Sequence, residues 1–509
     1  MAKLKPTAYF QETYPGVMAF RCRYDKALVE VIKSFGVGPT WCNETKTRFL
    51  DKPLAKKLKK ACEERGYKIQ WEERQRHSAL TEMDERLRPY QQAAAAKAIS
   101  DGYRLLAFEM GLGKGFTCIT ALKGCGTKRN LVVCPASVRE VWLDEFTKWW
   151  PDGPETTIIY PSKKWEIPEG PCNIVVSYEM LSHLTDVDEN DEVYSKHKWD
   201  SLVLDEGHYI KNARATRSVL ALGLSETSGA TLRLLNSGTP MTQQPKDLHA
   251  QLNWLRPGSI GTWWNYVNTF CDVEAHQYGH NITGSRNEDF FHKRFGSMID
   301  RVTLADAAQW MPSISTQVLR PDQEKSLTLL EELKGTSAPV LVFTWLKRTA
   351  YAVSEKIKDR PVYTITGDML AKLRAETIKQ AKKEDRAVLV ATMDCAGIGI
   401  DLTHFYLSYV YELSPKLSTI RQAIGRVARL SSTKPVMRKF IVRAGTAEEE
   451  LAVSLGRKLA ELGKVLRHGG AENTLTEVLE PPEFSNEEFM SRLQAELGDF
   501  VEGDYDEYL

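Results

Sequence analysis

Short apolar runs alternate with helical patterns along two separate stretches of the chain, and this repeated alternation restricts the fold more than any other feature. Such alternation predicts parallel strands joined by helices, with each sheet covered on both faces. We therefore predict an α/β fold with two lobes of the same kind. The predicted strands are residues 104–108, 130–134, 157–160, 173–177, 201–204 and 233–236 in the first lobe, and 340–343, 362–365, 388–391, 406–410 and 439–442 in the second.

Three further segments lie outside the two alternating stretches. The start of the chain combines an extended piece with two amphipathic helical patterns, which predicts a small α+β module, and the charged, aperiodic residues 76–85 predict a linker. Clustered aromatic residues and few β-branched runs after residue 257 predict a helical insertion. The predicted limits are 1–80 for the N-terminal module, 86–257 for lobe 1, 258–325 for the insertion and linker, 326–466 for lobe 2 and 467–509 for an acidic tail.

Length and composition exclude several classes of protein. The chain has 509 residues, of which 42% are apolar, so we expect two to four domains with full cores. The start lacks the apolar stretch of a secretory signal, and no apolar run approaches the roughly 20 residues of a membrane span. We expect a soluble, cytoplasmic protein of a bacterial or viral genome, or a nuclear one if the host is eukaryotic. Nine cysteines without a Cys-x-x-Cys pair argue against a structural zinc site and a disulfide framework.

The net charge of +1 conceals an uneven distribution. Residues 471–509 contain twelve acidic residues against the single basic residue Arg492, whereas the first eighty residues are rich in lysine and arginine. The run from Lys56 to Lys60 is either a phosphate contact or a solvated helix face. We also hypothesise that the acidic tail, which we expect to be partly disordered, inhibits a basic face by mimicking DNA.

A phosphate-binding turn and an acidic strand end carry the predicted chemistry. The glycine-rich turn Glu109-Met-Gly-Leu-Gly-Lys114 directs backbone N–H groups and an ammonium at a polyphosphate. The apolar run 202–204 reads as a buried strand that delivers Asp205 and Glu206 to its carboxyl end, beside the phosphates. ATP hydrolysis needs Mg²⁺, an in-line water and positive charge, and Arg426 and Arg429 are spaced to supply that charge. They lie more than 300 residues from Lys114, which predicts a nucleotide between two lobes.

Five motifs in one order resemble the motifs of superfamily-two helicases of the Swi/Snf-like branch. To the two segments above are added Ser237-Gly-Thr-Pro240, Ala396-Gly-Ile-Gly-Ile400 and Gln422-Ala-Ile-Gly-Arg-Val-Ala-Arg429. Cys134-Pro-Ala-Ser137, followed by Trp142 and Glu145, resembles a further motif of that branch. The resemblance spans about residues 86 to 465 and implies two RecA-like lobes and a DNA-dependent ATP hydrolase that uses ATP and Mg²⁺.

The resemblance also implies roles for individual residues. For several positions a purely structural role is the alternative to the role given below. These alternatives are a surface glutamine at position 91, a polar core histidine at 208, an ordinary turn at 237–240, glycines that only pack a helix at 397 and 399, and surface ion pairs for Arg426 and Arg429. The implied catalytic residues are Lys114, Asp205, Glu206, Arg426 and Arg429, with Asp205 on Mg²⁺; the implied nucleotide-binding residues are Gln91, Met110, Gly111, Leu112, Gly113, Lys114, Gly115 and Asp401; and the implied coupling or DNA residues are His208, Ser237, Thr239, Gly397 and Gly399.

A narrower resemblance concerns the start of the chain and the insertion. Segment 14–75, with Arg21-Cys-Arg-Tyr24 and Trp41, resembles the HARP domain of annealing helicases. The spacing of Phe270-Cys-Asp272, Gly279, Gly284-Ser285, Phe290 and Met298 through Arg301 follows the insertion pattern of the same proteins. Annealing helicases rewind DNA and remodel branched forks, so the resemblance implies this activity.

Three positions depart from the motifs of the Swi/Snf-like branch. Gly115 stands where the family has a threonine whose hydroxyl binds Mg²⁺, and Thr117 is about 200° further around a helix. We therefore expect weakened metal binding rather than loss of activity, because Mg²⁺ keeps several water ligands. Phe108 replaces an aspartate before Glu109, and Ala428 replaces a histidine before Arg429.

The principal hypothesis is an ATP-dependent translocase on double-stranded DNA that remodels or anneals forked and branched DNA, as a monomer or assembled on DNA. Contacts to phosphates are expected along one face of both lobes, with Trp345, Lys347 and Arg348 as candidates against the alternative of a solvated loop. A DNA-binding scaffold switched by nucleotide is the second hypothesis, and Gly115 favours it. A nucleosome or protein–DNA remodeller is the third, while an RNA-unwinding DEAD-box protein is disfavoured by Asp205-Glu-Gly-His208.

Overall fold

The computed structural model describes residues 6–466 apart from 15–16, 23, 36–39, 43–46, 74–83, 162–163, 242–243, 277–278 and 397–399. The predicted linker at 76–85 therefore lies mostly, and the acidic tail wholly, outside the described residues. The chain divides into two compact units. The first comprises Met1–Phe108 and Gly113–Arg301, and the second comprises Glu109–Leu112 and Val302–Leu509.

The N-terminal module of the first unit is a five-stranded sheet with two helices on one face. The helix that begins at Lys52 buries residues one turn apart, including Leu54 and Leu58, against Phe10 and Phe20 of the sheet. In spatial order the strands are Thr40–Cys42 (β3), Thr47–Asp51 (β4), Val17–Cys22 (β2), Thr7–Tyr14 (β1) and Lys68–Glu72 (β5). Its elements are β1 (Thr7–Tyr14), β2 (Val17–Cys22), α1 (Lys26–Ser34), β3 (Thr40–Cys42), β4 (Thr47–Asp51), α2 (Lys52–Glu64) and β5 (Lys68–Glu72).

A seven-stranded sheet forms the first lobe, and three of its inner strands, Tyr103–Phe108, Cys172–Ser177 and Leu232–Asn236, are buried at every position. Burial of both faces is the expected state of a parallel sheet covered by helices. The elements are α3 (Pro89–Asp101), β6 (Tyr103–Phe108), α4 (Lys114–Gly124), β7 (Arg129–Cys134), α5 (Arg139–Trp149), β8 (Thr156–Ile158), β9 (Cys172–Ser177), α6 (Leu181–Leu184), β10 (Thr185–Val187), β11 (Val193–Ser195), β12 (Ser201–Asp205), α7 (Thr216–Thr227), β13 (Leu232–Asn236), α8 (Asp247–Leu255), α9 (Trp263–Phe270), β14 (Cys271–His276), β15 (Gly279–Ser285), α10 (Glu288–Phe295) and β16 (Ile299–Val302).

The strand order of this sheet is β16-β6-β13-β12-β7-β9-β8. The pairs from β6 to β8 are all parallel, with Asp205 of β12 opposite Asn236 of β13. Parallel pairing brings the carboxyl ends of β6, β12 and β13 to the same edge of the sheet. This edge therefore carries the residues that follow those three strands in the chain.

The segment predicted as a helical insertion is more varied than expected. It contains α9 and α10, but β14 and β15 between them form an antiparallel hairpin. Its last strand, β17 (Ile314–Leu319), lies in the sheet of the second unit. The helical prediction was therefore incomplete. The His280 ring of β15 lies 5.1 Å from the Trp264 ring of α9, so packing against a neighbouring helix supports a hairpin whose residues have weak strand propensity.

The second unit is built on a six-stranded sheet in which every pair is parallel. In spatial order the strands are Ile314–Leu319 (β17), Val436–Ile441 (β22), Leu407–Val410 (β21), Val340–Thr344 (β18), Val388–Thr392 (β20) and Val362–Ile365 (β19). Two parallel sheets with helices are thus present, and the predicted α/β fold class is confirmed. The remaining elements are α11 (Lys325–Lys334), β18 (Val340–Thr344), α12 (Lys347–Lys356), β19 (Val362–Ile365), α13 (Ala371–Ala381), β20 (Val388–Thr392), α14 (Met393–Ala396), β21 (Leu407–Val410), α15 (Leu417–Ile424), β22 (Val436–Ile441) and α16 (Ala447–Leu466).

The cysteines and the hydropathy of the helices complete this description. Cys22, Cys62, Cys118, Cys125, Cys134, Cys172, Cys271 and Cys395 are free thiols, and all but Cys22 are buried. Among the helices that the structure describes, none combines the length and apolar character needed to cross a membrane.

Candidate nucleotide site

The predicted phosphate-binding turn at residues 109–114, called the phosphate turn below, lies between a buried strand and a helix N-terminus. Strand β6 is buried at every position and ends at Phe108, and α4 begins at Lys114 after Gly113, whose φ of 76° is left-handed. The Lys114 ammonium donates a hydrogen bond of 2.9 Å to the carbonyl of Phe108. The backbone N–H groups of a helix start and an ammonium therefore lie together at this turn, an arrangement that is typical of polyphosphate-binding sites.

Gln91 connects the start of α3 with the phosphate turn. Its side chain is buried, and its amide oxygen accepts a hydrogen bond of 2.8 Å from the Arg88 N–H. The amide nitrogen lies 3.5 Å from the Gly113 carbonyl, to which it donates. The structure thus places Gln91 next to the predicted nucleotide-binding residues, while its role in adenine recognition stays a prediction.

Asp205 occupies the carboxyl end of β12 and is held by two hydrogen bonds. Its Oδ2 accepts from the Trp142 indole N–H at 2.9 Å, and its Oδ1 accepts from the Glu206 N–H at 3.1 Å. Burial and the neighbouring Glu206 raise the pKa of Asp205 to about 6, although the Trp142 hydrogen bond and Lys114 act in the opposite direction. A divalent cation beside this carboxylate would favour its charged form, which is the electrostatic condition for a metal ligand.

Glu206 joins the coupling residues predicted from the next motif. Its backbone is left-handed, with a φ of 51°, an uncommon and costly conformation for a residue with a side chain. His208 Nδ1 lies 3.3 Å from Glu206 Oε2 and 3.2 Å from Ser237 Oγ. The Ser237 hydroxyl in turn accepts the Thr239 N–H at 3.1 Å. The first unit therefore brings Glu206, His208, Ser237 and Thr239 together in one chain of contacts.

Thr117 does not replace the threonine missing at position 115. Its side chain is 1% exposed, and its hydroxyl donates a hydrogen bond of 3.0 Å to the Gly113 carbonyl, one helical turn back. This orientation agrees with the rotation expected for two residues along a helix. The hydroxyl is therefore engaged with the backbone.

Within the second unit, Arg429 packs against the short segment Glu109–Leu112. A Cβ atom on Gly111 would lie 2.9 Å from Arg429 Cα, and Gly111 has a φ of 79°, so both space and backbone conformation require glycine there. The Arg429 guanidinium donates to the Ile400 carbonyl at 2.7 Å. Arg421, which the sequence did not single out, forms an ion pair of 2.6 Å with Glu109.

The remaining predicted residues of the second unit are placed as follows. Asp401 lies 3.6 Å from the Lys382 ammonium. Burial would raise the pKa of Asp401, but Lys382, two hydrogen bonds from Thr403 and the charge of Arg429 lower it overall. Arg426 is half-buried after α15. Gly397 and Gly399 lie outside the described residues.

Two residues that contact Asp205 received no role from the sequence. Trp142 was recognised only as part of a motif, although its position three residues before Glu145 on a helix is a signal that both share one face. Tyr178 donates a hydrogen bond of 2.9 Å to the Asp205 backbone carbonyl and stacks on Tyr209 at 5.1 Å. No local pattern marks Tyr178, because this contact depends on the packing of separate strands.

The site fits Mg²⁺ bound together with a nucleotide better than a metal held by protein alone. No group of three or more His, Cys, Asp or Glu side chains suitable for a metal occurs in the part of the chain that the structure describes. Mg²⁺ in phosphoryl-transfer sites uses one or two carboxylates, waters and phosphate oxygens. Asp205 beside the phosphate turn meets that requirement. A phosphate turn and an acidic strand end on a parallel sheet define a P-loop nucleotide hydrolase.

Comparison with protein families gives the narrower class. Residues 90–365 match the SNF2-related domain, and residues 324–431 match the helicase conserved C-terminal domain. The first match covers more than half of the chain, and the chain therefore belongs to the SNF2-related family. The predicted resemblance to Swi/Snf-like helicases and the predicted enzyme class, an ATP hydrolase, are confirmed. Both matches begin after the N-terminal module, so its likeness to a HARP domain stays a prediction.

Similar proteins include the DNA annealing helicase and endonuclease ZRANB3 of Mus musculus, which is 25% identical over 75% of this chain and 41% of its own length. The SWI/SNF-related matrix-associated actin-dependent regulator of chromatin subfamily A-like protein 1 of Xenopus tropicalis is 24% identical over 78% of this chain and 46% of its own. The chain thus spans less than half of these relatives. Their animal origin gives no support to the predicted bacterial or viral host.

A solved structure with partial similarity is the Sulfolobus solfataricus SWI2/SNF2 ATPase core in complex with dsDNA. It is 18% identical, its TM-score is 0.40, and the match covers 81% of this chain and 97% of that one.

Proposed function

We propose that this protein is an ATP-dependent translocase on double-stranded DNA that remodels or anneals forked and branched DNA. The observation that carries the proposal is the contact chain at one sheet edge, in which Glu206, next to Asp205, is linked through His208 to Ser237. This arrangement joins a site for hydrolysis to a segment that the family resemblance assigns to DNA coupling. The name of the mouse relative, an annealing helicase, supports the choice of activity.

Each residue of the site has a chemical task in this proposal. Lys114 and the backbone of residues 110–115 hold the phosphates, Gln91 holds the base, and Asp205 holds Mg²⁺. Bound Mg²⁺ supplies positive charge to the β and γ phosphate oxygens. Glu206 orients and deprotonates the attacking water. The proposed residues of the second unit are Arg426 and Arg429, which offset the negative charge of the transition state, and Asp401, near the nucleotide.

Coupling to DNA follows from the same contacts. A proton taken up by Glu206 alters its contact with His208 Nδ1, and His208 also touches Ser237. Ser237 is held to the Thr239 N–H, so a shift of His208 reaches the turn at 237–240. We propose that this turn, with Gly397 and Gly399 in the second unit, transmits the state of the nucleotide to DNA.

A basic groove between the N-terminal module and the first lobe is the proposed contact for the DNA backbone. The groove has a volume of about 560 Å³, and its lining includes Lys52, Lys57, Lys293 and Arg294. Lys57 and Lys293 are exposed, whereas Lys52 pairs with Glu73 at 2.5 Å. Lysine and arginine side chains bind phosphates without reading base sequence. Within the run from Lys56 to Lys60, Lys57 is therefore the residue that we propose to contact a DNA phosphate.

Trp345, Lys347 and Arg348 of the second unit are further proposed DNA contacts. The Trp345 N–H donates to Glu412 at 2.9 Å, which orders the turn after β18. Lys347 forms an ion pair with Asp368 and remains half exposed. A phosphate can compete with Asp368 for this ammonium, because an exposed ion pair is weak.

The test is ATP hydrolysis measured without nucleic acid and with single-stranded, duplex and forked DNA, alongside rewinding of a forked substrate. We expect duplex or fork to stimulate hydrolysis strongly and Lys114→Ala to abolish both activities. The matched control is Lys123→Ala at the last turn of the same helix α4, which lies away from the turn and keeps wild-type rates. Hydrolysis that DNA does not stimulate would contradict the proposal.

A nucleotide-switched DNA-binding scaffold is the second candidate, and Gly115 is the observation that favours it. In that case nucleotide binds and alters DNA affinity, but no DNA structure produces turnover. Nucleotide-dependent DNA binding without any hydrolysis would therefore select this candidate over the translocase.

A further inference from the structure

Gly115 faces a carboxylate from another helix. A Cβ atom built on Gly115 would lie 3.1 Å from Glu145 Oε2 and 3.4 Å from Glu145 Cδ. In P-loops this position ordinarily carries serine or threonine, whose hydroxyl binds Mg²⁺. The space in which that side chain would begin is therefore bordered by the Glu145 carboxylate in this protein.

Aromatic side chains hold Glu145 in this place. The Trp149 indole N–H donates to Glu145 Oε2 at 2.8 Å. The Trp149 ring stacks on Phe116 with centroids 3.8 Å apart and planes 14° from parallel. The Arg86 guanidinium lies 4.7 Å from the Trp149 ring. Because Phe116 directly follows Gly115, the same stack fixes the carboxylate relative to the phosphate turn.

Helix α5 presents a second residue to the same site. Trp142 lies three residues before Glu145, so the two side chains share one face of α5. Trp142 contacts Asp205 at 2.9 Å, and Glu145 borders Gly115. Burial raises the pKa of the nearby Cys118 thiol, Asp205 and Glu145 raise it further, and Lys114 lowers it, so all three charges act on one small region.

We propose that the Glu145 carboxylate takes the place of the missing hydroxyl and supplies a second protein oxygen, with that of Asp205, to Mg²⁺ bound with ATP. The inference rests on the proposed function and assigns a ligand to its site. Two carboxylates together with phosphate oxygens and waters form an ordinary Mg²⁺ site. Gly115 is then a requirement of this arrangement, because a larger residue would press on Glu145. Metal binding is correspondingly stronger than the loss of threonine alone predicts.

The experiment is a Mg²⁺ titration of the binding of a fluorescent ATP analogue to the full chain, which measures metal affinity without turnover. Glu145→Gln keeps the size of the side chain and an acceptor for Trp149 but removes the charge. We expect it to raise the Mg²⁺ concentration at half-saturation about tenfold. The matched control is Asp144→Asn, which removes the same charge from an exposed position one residue away and leaves the titration unchanged.

A double variant tests whether Glu145 replaces the missing threonine hydroxyl as a metal ligand or whether its substitution only disturbs the structure of the site. Gly115→Thr alone weakens Mg²⁺ binding, because the new side chain crowds Glu145. Combined with Glu145→Ala it restores binding to within about threefold of wild type, because the threonine hydroxyl then has room to act as a ligand. Thermal unfolding of each variant confirms that it is folded.

Two other results overturn the inference in distinguishable ways. A Glu145→Gln variant with the wild-type Mg²⁺ requirement overturns the assignment of Glu145 and leaves the proposed function standing. A wild-type protein that shows no Mg²⁺-dependent nucleotide binding overturns the proposed function and this assignment with it.

Discussion

Asp205 owes its orientation to a residue that lies 63 positions away in the chain. The Trp142 indole N–H reaches its carboxylate at 2.9 Å, and the Glu206 N–H fixes the second oxygen at 3.1 Å. Loss of a group that orients a metal ligand typically lowers metal affinity by about 10- to 100-fold. Trp142 is therefore a positioning residue for the proposed Mg²⁺ site.

Substitution Trp142→Phe removes the indole N–H and keeps an aromatic ring in the core. We expect the Mg²⁺ concentration needed for half-maximal hydrolysis to rise about tenfold, because Asp205 loses the bond that orients it. The measurement is a Mg²⁺ titration of ATP hydrolysis. Trp199→Phe is the control, since the Trp199 N–H is buried and has no hydrogen-bond partner among the described residues. An equal effect of both substitutions would assign the loss to packing.

Glu226 on α7 provides a pH-dependent contribution to stability. Burial and the charge of Glu192 raise its pKa from 4.5 to about 7, while Arg233 acts in the opposite direction. The folded state therefore binds the proton more tightly than the unfolded state between these two values. Stability from this group is present at low pH and is lost as the pH rises through about 7.

Substitution Glu226→Gln removes this penalty. At pH 8 we expect the free energy of unfolding to increase by about 2 kcal/mol, and the gain to shrink towards zero as the pH falls to about 5. Denaturant unfolding across this pH range is the measurement. Glu189→Gln, at an exposed position of the same lobe, is the control and produces no such pH-dependent difference. A gain that is constant with pH would contradict the assignment.

At the scale of elements, a buried charge cluster attaches the N-terminal module to the first lobe. Asp51 caps α2 by accepting the Leu54 N–H at 2.8 Å, and it is 1% exposed. The same carboxylate forms an ion pair with Arg294 of α10 and lies 3.7 Å from Arg256 at the end of α8. The helix cap is therefore also the joint between two parts of the first unit.

Substitution Asp51→Ala leaves two buried guanidinium groups without their shared carboxylate. We expect a loss of about 3–5 kcal/mol in the stability of the first unit and faster proteolytic release of the N-terminal module. The control is Asp25→Ala, which removes the corresponding cap of α1 and a hydrogen bond from the Tyr67 hydroxyl at a half-buried position, and costs about 1–2 kcal/mol. Similar losses from both variants would show that Asp51 acts only as a cap.

The basic groove beside this joint makes a separate prediction about DNA. Neutralising Lys57 and Lys293 together reduces the slope of log affinity against log salt by about two, because each lysine ceases to release a counterion. Fluorescence anisotropy of a labelled duplex at several salt concentrations measures the slope. Lys33→Ala, which removes a lysine paired with Glu30 at 2.9 Å in the same module, is the control. An unchanged slope would exclude the groove as a phosphate contact.

At the scale of the whole molecule, the charge distribution bears on DNA binding more than the net charge does. The total is +1, but residues 471–509 contain twelve acidic residues and only Arg492 as a base. These 39 residues carry a net charge of −11, from twelve acidic residues and one arginine. Without them the net charge of the chain changes from +1 to +12. A chain with that excess of positive charge attracts DNA more strongly at low salt.

Deletion of residues 471–509 is therefore expected to increase affinity for duplex DNA at low salt by about tenfold, with a smaller effect at high salt. Anisotropy titrations of the full chain and the deletion variant measure the change. A full-length variant with the acidic residues of the tail changed to asparagine and glutamine separates charge from chain length. Unchanged affinity would remove the hypothesis that the tail mimics DNA.

Local patterns predicted the two parallel sheets and the residues at their carboxyl ends. Lys114 and Asp205 follow apolar runs that read as buried strands, and parallel pairing brings such ends to one edge whatever the details of packing. The hairpin of β14 and β15 was missed because its strands have little propensity of their own. The contact of its His280 with Trp264 of α9 forms only after the chain has folded.

The sequence by itself determined the fold class, the family and the order of the site residues, because periodicity, turn residues and motif spacing are local properties of the chain. Tertiary structure alone decided the contacts that support the candidate site and the joint of the N-terminal module. These are Trp142 on Asp205, Glu145 against Gly115, and Asp51 between Arg256 and Arg294. These contacts join residues that are distant in sequence. Their distances are set by how helices pack on the sheets, and no local pattern records that packing.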